Sequence, residues 1–169
     1  MRHRLKRWEI KDTTALMELM NNVHIWSTLT DSTELPFTKE DASEYINRAI
    51  EHESSFDAFA IEQDGNVIGG VSLTKLDPPY HIIFELNFWL YPGNWQQGIM
   101  TDVLYNIIQH GFMHLPAMKL TAKVFANDTK TINLLNKVGF KQIALLESYA
   151  LKCGKLLDLV VFEKTEIGG

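Results

Sequence analysis

Cysteine is almost missing from this chain: among 169 residues only Cys153 carries a thiol. A single cysteine excludes an internal disulfide and fits a reducing compartment. Long apolar runs are missing too, so no membrane span is expected. The basic start from Met1 to Arg7 is not followed by the apolar core of a secretory signal. A cytoplasmic location without membrane association is the default expectation. Positive charge is in deficit, with 16 Lys and Arg against 21 Asp and Glu and a formal net charge of −5. That balance argues against nucleic acid as a partner, since it offers no bulk positive charge to hold phosphates. No linker, internal repeat or low-complexity run interrupts the chain. A single domain over residues 1–169 is therefore expected, large enough to enclose a substantial core. Its content, 46% hydrophobic and 22% charged, is ordinary for a globular protein.

Hydrophobic periodicity predicts both kinds of element. Residues 2–8 read as a first strand. A cap among residues 11–14 opens a helix with Leu16, Leu19, Met20 and Val23 on one face. Residues 26–37 lack a period and read as a loop with a broken helical turn. Thr38 and Asp41 approach a capping box for a helix whose buried face is Ala42, Tyr45, Ile46, Ala49 and Ile50. Strands follow over residues 56–63, 67–76 and 80–91, the first two joined at Asp64-Gly65, a strong hairpin signal. After Gly98 a long helix carries Met100, Val103, Leu104, Ile107, Ile108 and Phe112 at helical spacing. A strand over 119–126 precedes a short helix over 129–137, with Gly139 placed as its C-terminal cap. Two last strands, 141–151 and 155–163, flank a turn at Cys153-Gly154. The order β-α-α-β-β-β-α-β-α-β-β defines an α/β domain of α+β type, with one mixed sheet of about seven strands and about four helices.

The sharpest local signal runs from Glu85 to Thr101. A strand enters a turn at Pro92-Gly93-Asn94, and a single glycine, Gly98, opens the long helix. Such a junction leaves several N–H groups unpaired and parallel, which suits an anion and most often a phosphate. It is not a Walker loop, for no Gly-Lys-Ser/Thr ending follows, and one glycine is not a dinucleotide fingerprint. His110 and His114 stand one helical turn apart, a spacing that can bind metal. However, Gly111 sits where a zincin needs glutamate and no third ligand is evident, so no metal is expected.

Phe88-Trp89-Leu90, Pro92, Trp95, Gln97-Gly98, Met100-Thr101 and Leu104 resemble motif A of the GNAT acetyltransferases. The match is to the branch holding ribosomal-protein N-terminal and spermidine acetyltransferases. Gln97 stands where that branch usually has Lys, Met100 where it has a small residue, and Asp102 where it has Glu. The family's second signature is echoed by Asn127-Asp128-Thr129-Lys130-Thr131 and by Lys137-Val138-Gly139-Phe140. Asp64-Gly65, Gly154 and Asp158 extend the resemblance over nearly the whole chain. It implies the GNAT fold, with a sheet splayed at the cofactor site and acetyl-CoA as co-substrate. The implied activity is direct acetyl transfer to a primary amine of a protein N-terminus, a polyamine or a small molecule.

The resemblance also implies roles. The turn from Gln96 and Gln97 through Gly98, Ile99, Met100 and Thr101 would hold the pyrophosphate. Phe88, Trp89 and Leu90 would offer main-chain groups to the pantetheine arm like an added strand. Asn127 and Thr131 would bond the arm from the other side. Asn127 is preferred to Asp128, because a carboxylate near phosphates is unfavourable by charge, and Asp128 then caps its helix. The loop over residues 26–37 lies where the family binds its acceptor, with Trp26, Asp31, Glu34 and Phe37 shaping a pocket or covering the core. A homodimer through exposed strands follows by analogy alone.

Amine acetylation requires deprotonation, because an α-amino group has a pKa of roughly 8 and lysine about 10. A base or a water chain must take that proton. Glu85 is the candidate. On a regular strand it shares a face with His81, Ile83, Asn87 and Trp89, while Phe84, Leu86, Phe88 and Leu90 point away. A cross-strand pairing role is the plainer alternative. A bulge, frequent in the family, would change the facing. The tyrosine that many relatives use on the departing thiolate is replaced by Leu134 and Leu135. Thr131 remains as general acid or as a helix-start hydrogen bonder, and a thiolate of pKa about 8.5 can also leave unaided. The missing tyrosine and Gln97 keep open a second function, a CoA-binding sensor or assembly module without turnover.

Overall fold

The computed structural model describes residues 2–166. Met1 and residues 167–169, the ends of the expected domain, lie outside the described residues. Seven strands make one sheet in the order β1-β2-β3-β4-β5-β7-β6. They are β1 His3–Arg7, β2 Phe56–Gln63, β3 Asn66–Lys75, β4 Ile83–Leu90, β5 Lys119–Phe125, β6 Lys141–Lys152 and β7 Lys155–Thr165. The helices are α1 Thr13–Met20, α2 Val23–Trp26, α3 Lys39–Glu51, α4 Ile99–His114 and α5 Thr129–Lys137. Every strand pairing is antiparallel except β4–β5, which is parallel.

Local chemistry explains most boundaries. The capping box of α3 forms: the Thr38 hydroxyl accepts from the Asp41 N–H, and the Asp41 carboxylate accepts from the Thr38 N–H. These bonds hold the Asp41 carboxyl below its ordinary pKa. At the end of α5, the Phe140 N–H reaches Leu135 O at 3.0 Å and the Gly139 N–H reaches Asn136 O at 3.2 Å. That Schellman pattern needs the left-handed φ of 95° that Gly139 supplies.

Three expectations change. The first helix does not run to Val23, because Asn22 accepts from the N–H groups of His24 and Ile25 and starts a second helix there. Asparagine competes with the helical backbone in this way, so there are five helices rather than four, and Val23 is 55% exposed. Ile50, placed on the buried face of α3, is exposed; Ala42, Ile46 and Ala49 form that face. The strand expected over 80–91 begins only at Ile83, after a turn closed by the Tyr80 N–H on Asp77 O. His81 therefore leaves the face it was assigned to share with Glu85.

Two apolar clusters pack against the sheet. One joins Phe84, Leu86, Leu120 and Phe162 to Leu104 and Ile107 of α4 and Leu135 of α5. The other joins Trp8, Phe56 and Ala58 to Leu16 of α1 and Ile46 of α3. A half-buried pair pins the long helix to the sheet: His110 Nε2 lies 2.5 Å from Asp57 Oδ2, and Arg7 bonds the other oxygen of that carboxylate. His110 is thus engaged as a structural partner, with its ring 5.4 Å from that of His114.

Candidate active site

The sheet opens at one place. β4 stays paired with β3 from Phe84 to Leu90, and β5 stays paired with β7 from Lys119 to Phe125. Between them only Ile83, Phe84 and Glu85 find partners, in Lys119, Leu120 and Thr121. Beyond Glu85 the two strands part, leaving a V with unpaired backbone on its walls. The Tyr91 N–H donates to Ile68 O across the β3 side at 2.7 Å. By alternation, Leu86, Phe88 and Leu90 turn their main-chain groups into the gap, while those of Trp89 face β3. Leu90 O is already used, accepting from Trp95 Nε1 at 2.8 Å. The register of β4 on β3 is unbroken from Phe84 to Leu90, with no bulge to change the facing, so the alternation read for Glu85 holds along β4.

One cavity, of about 390 Å³, runs from the gap to the start of α4. Its walls include Phe88, Trp89 and Leu90 of β4, Gln96 and Gly98 to Thr101 of the turn and helix, and Asp128, Lys130 and Thr131 beside α5. Gln96 and Gly98 both have left-handed backbone, with φ of 61° and 76°. Nothing crowds a Cβ at Gly98, so its glycine is required by the dihedral rather than by space. The first recorded intrahelical bond of this turn is Asp102 N–H to Gly98 O at 3.2 Å, and no side chain caps the helix. The N–H groups of Ile99, Met100 and Thr101 therefore precede any intrahelical acceptor and point out of the helix end. This is the junction of strand, glycine and helix read from the sequence, with its first N–H groups left without helical partners.

The second cavity, of about 420 Å³, lies on the other side of Trp89. It crosses the sheet face from Lys123 of β5 over Glu85 and Asn87 of β4 and Ser72 and Thr74 of β3 to Phe56 of β2. Its roof is the loop after α2, with Leu29, Asp31, Thr33 and Phe37, and its far wall is Tyr45 and Arg48 of α3. Burial pushes the Tyr45 phenol pKa up, with a partial offset from its hydrogen bond to Ser72. The Arg48 guanidinium lies 4.0 Å over the Phe56 ring. Thr28, Phe88, Trp89, Asp128 and Thr131 line both cavities, so the two adjoin there. Trp89 fits because Gly70 lies beneath it: a Cβ there would come within 2.8 Å of the indole.

Glu85 stands at the apex of the V and lines the second cavity. Its Oε1 accepts from Asn87 Nδ2 at 3.5 Å, and its Oε2 lies 3.4 Å from Lys123 Nζ. Of the other residues singled out in the sequence, Phe88, Trp89, Leu90, Gln96, Gly98, Ile99, Met100, Thr101 and Thr131 come together around the first cavity. Gln97 does not: it is exposed, and its amide donates to Gly93 O at 3.1 Å, bracing the turn. Asn127 is likewise exposed and lines neither cavity, because the turn closed by the Asp128 N–H on Phe125 O brings in the next residue instead. Asp128 caps α5 as expected, accepting from the Thr131 N–H at 3.2 Å.

Besides Lys123, which lies against Glu85, two more lysines escaped the sequence reading. Lys130 is the cation on the wall of the first cavity, with Nζ 5.1 Å from the Trp95 ring centre. Its place in the first turn of α5, across from the anion site read from the sequence, was the available clue. Lys152 lies outside both cavities but holds the roof of the second. Its Nζ donates to Trp26 O at 2.5 Å and to Leu29 O at 2.7 Å, and sits 4.2 Å over the Trp26 ring. Burial draws its pKa below the ordinary lysine value, against the opposing pull of Asp31. Asn21 ties the other end of the loop, donating to and accepting from the backbone of Phe37.

A sheet splayed between a parallel strand pair, with an uncapped helix end on one side of the gap and a carboxylate at its apex, brings two chemically different cavities to one opening. Comparison with known proteins gives the family. Residues 2–141 match the acetyltransferase (GNAT) domain, and the chain belongs to that family of acyltransferases. It is similar to the uncharacterized N-acetyltransferase p20 of Bacillus licheniformis, at 23% identity over 98% of this chain and 94% of that protein. Among solved structures it shares its fold with a ribosomal-protein-alanine N-acetyltransferase from Brucella melitensis, with TM-score 0.85 and 21% identity over 96% of this chain and 99% of that one. A spermidine N-acetyltransferase from Vibrio cholerae, in complex with CoA and spermine, superposes with TM-score 0.84 and 22% identity over 97% and 95% of the two chains. No helix among the described residues is long and apolar enough to cross a membrane.

Proposed function

We propose that this GNAT acetyltransferase uses acetyl-CoA and moves the acetyl group directly to a primary amine. The observation that carries the reading is the junction itself: two cavities meeting at Trp89, with Glu85 at the apex of the gap. The donor's diphosphate would lie on the N–H groups from Gly98 to Thr101, with Lys130 adding a cation. Its amide-containing arm would run along the gap-facing backbone of β4 past Phe88, placing the thioester near the apex. The acceptor would enter from the second cavity.

Glu85, directly or through water, would take the proton that keeps the amine from attacking. The nitrogen lone pair then adds to the thioester carbonyl, the C–N bond forms, and the C–S bond breaks. Thr131, which touches both cavities, is the hydroxyl available to the departing thiolate. The acceptor is a protein N-terminus, a polyamine or a small-molecule amine; the Brucella and Vibrio proteins are named for the first two.

Calorimetry with acetyl-CoA tests the donor site, and absence of binding at millimolar concentration would end the proposal. An amine panel read as released thiol tests transfer. Binding with no release for any amine would leave the non-catalytic CoA module in its place.

A further inference from the structure

Lys123 is a charged residue of the acceptor cavity that touches Glu85 and to which the proposed reaction gives no task. It stands on β5 two positions beyond Thr121, the last residue there paired with β4. Alternation along β5 puts it on the same face as Thr121, level with Asn87 on the opposite limb of the V. Its Nζ reaches back to within 3.4 Å of Glu85 Oε2, and its side chain is 44% exposed. Both residues line the cavity shared with Trp89 and Thr131. A primary amine therefore already stands against the proposed base, in the chamber meant for the acceptor, which adjoins the donor cavity. A cross-strand ion pair within a sheet would show the same closeness. This one instead spans a gap from which the sheet hydrogen bonds have gone.

We propose that Lys123 is a self-acetylation site; this rests on acetyl-CoA occupying the gap between β4 and β5. The Lys123 ammonium gives one proton to Glu85, and the neutral Nζ attacks the thioester carbonyl carbon. A C–N bond forms and the C–S bond breaks. The remaining excess proton on nitrogen passes to the departing thiolate, and the proton on Glu85 returns to water. The products are Nζ-acetyl-Lys123, free CoA thiol and one proton. Because base and nucleophile belong to one folded chain, the step has the advantage of an intramolecular reaction. Acetylation removes the Lys123 charge, ends its pairing with Glu85 and puts an acetamide into the acceptor cavity. A chain lacking acceptor while acetyl-CoA is abundant would thus narrow its own acceptor chamber.

The test is to incubate the full chain with acetyl-CoA and no added amine, following each lysine by peptide mass analysis. The expected result is one acetyl group accumulating at Lys123, with a first-order rate constant independent of protein concentration. Glu85→Gln should slow this by about 10²-fold, and Lys123→Arg should leave no label at that position. Chain unfolded in urea should acetylate Lys123 no faster than its other lysines, a control independent of any variant's folding. An unmodified Lys123 in protein that binds acetyl-CoA by calorimetry would overturn the proposal and spare the donor site. So would an equal rate in Glu85→Gln or in unfolded chain. Absence of acetyl-CoA binding would overturn both.

Discussion

The two cavities that meet at Trp89 are made of different material. The side proposed for the donor is built mostly from one continuous stretch, Phe88 to Thr101, and the groups it offers are mainly backbone N–H and C=O. The acceptor side is built from side chains on α1, α3, α5, β2, β3, β4 and β5, under a loop tied down by Asn21 and Lys152. Backbone donors at a helix end bind any phosphate the same way, whatever side chains surround them. A chamber of side chains from seven elements takes its preference from each of them. The donor can therefore be common to a family while the acceptor differs between members.

The difference can be pressed by mutation. The largest effect is expected where the two sides join. Glu85→Gln should lower kcat at neutral pH by about 10²-fold, with the affinity for CoA unchanged in calorimetry. A pH–rate profile matching wild type would remove Glu85 from proton transfer. Next, Gly98→Val forces a β-branched residue into a φ of 76°. At a strain of about 1–3 kcal/mol the turn must rearrange, and CoA should bind about tenfold or more weakly while any bound donor is still used. Unchanged affinity would show that the helix end does not hold the phosphates.

Smaller effects should separate the sides further. Lys152→Met should raise KM for the amine by several-fold, roughly the loss of one or two hydrogen bonds to the loop, and leave CoA affinity alone. A pH signature accompanies it. Since burial lowers the Lys152 pKa, the unfolded chain holds that proton more tightly than the folded one. Stability should therefore rise with pH from the lowered value up to the ordinary 10.5, and the variant should lose that rise in urea titrations. Even the neutral amine has two hydrogens, one for each carbonyl. The smallest change is expected for Lys130→Ala. Its exposed cation contributes up to about 1 kcal/mol, so CoA should weaken by a few fold at low salt and by less at high salt. A larger effect on amine KM than on CoA would reverse the assignment of the two cavities.

Much of the fold was legible because its signals are local. The bounds of β2 and α5 agree with periodicity and turn chemistry, and the caps at Thr38, Asp128 and Gly139 act within a few residues of themselves. The helix break at Asn21-Asn22 was missed because Val23 continues the apolar spacing. Only the bonds of the two asparagines, one of them to Phe37 far along the chain, end the helix there. The same distinction runs through the site. Gln96 to Thr101 can be read from a strand, a glycine and a helix. The choice between Asn127 and Asp128 depends on how one turn orients two adjacent side chains, which residue type alone does not decide.

What the sequence determined by itself was the donor half: a left-handed glycine, an unpaired helix end and an alternating strand with one carboxylate, all set by neighbours along the chain. Tertiary structure decided the rest. It parted β4 from β5 just beyond Glu85, because β3 and β7 each keep one limb of the V fully paired. It carried Lys123 across that opening to Glu85, and sent Lys152 back 126 residues to hold the loop at Trp26. Those contacts join elements far apart in the chain, and no local propensity records them.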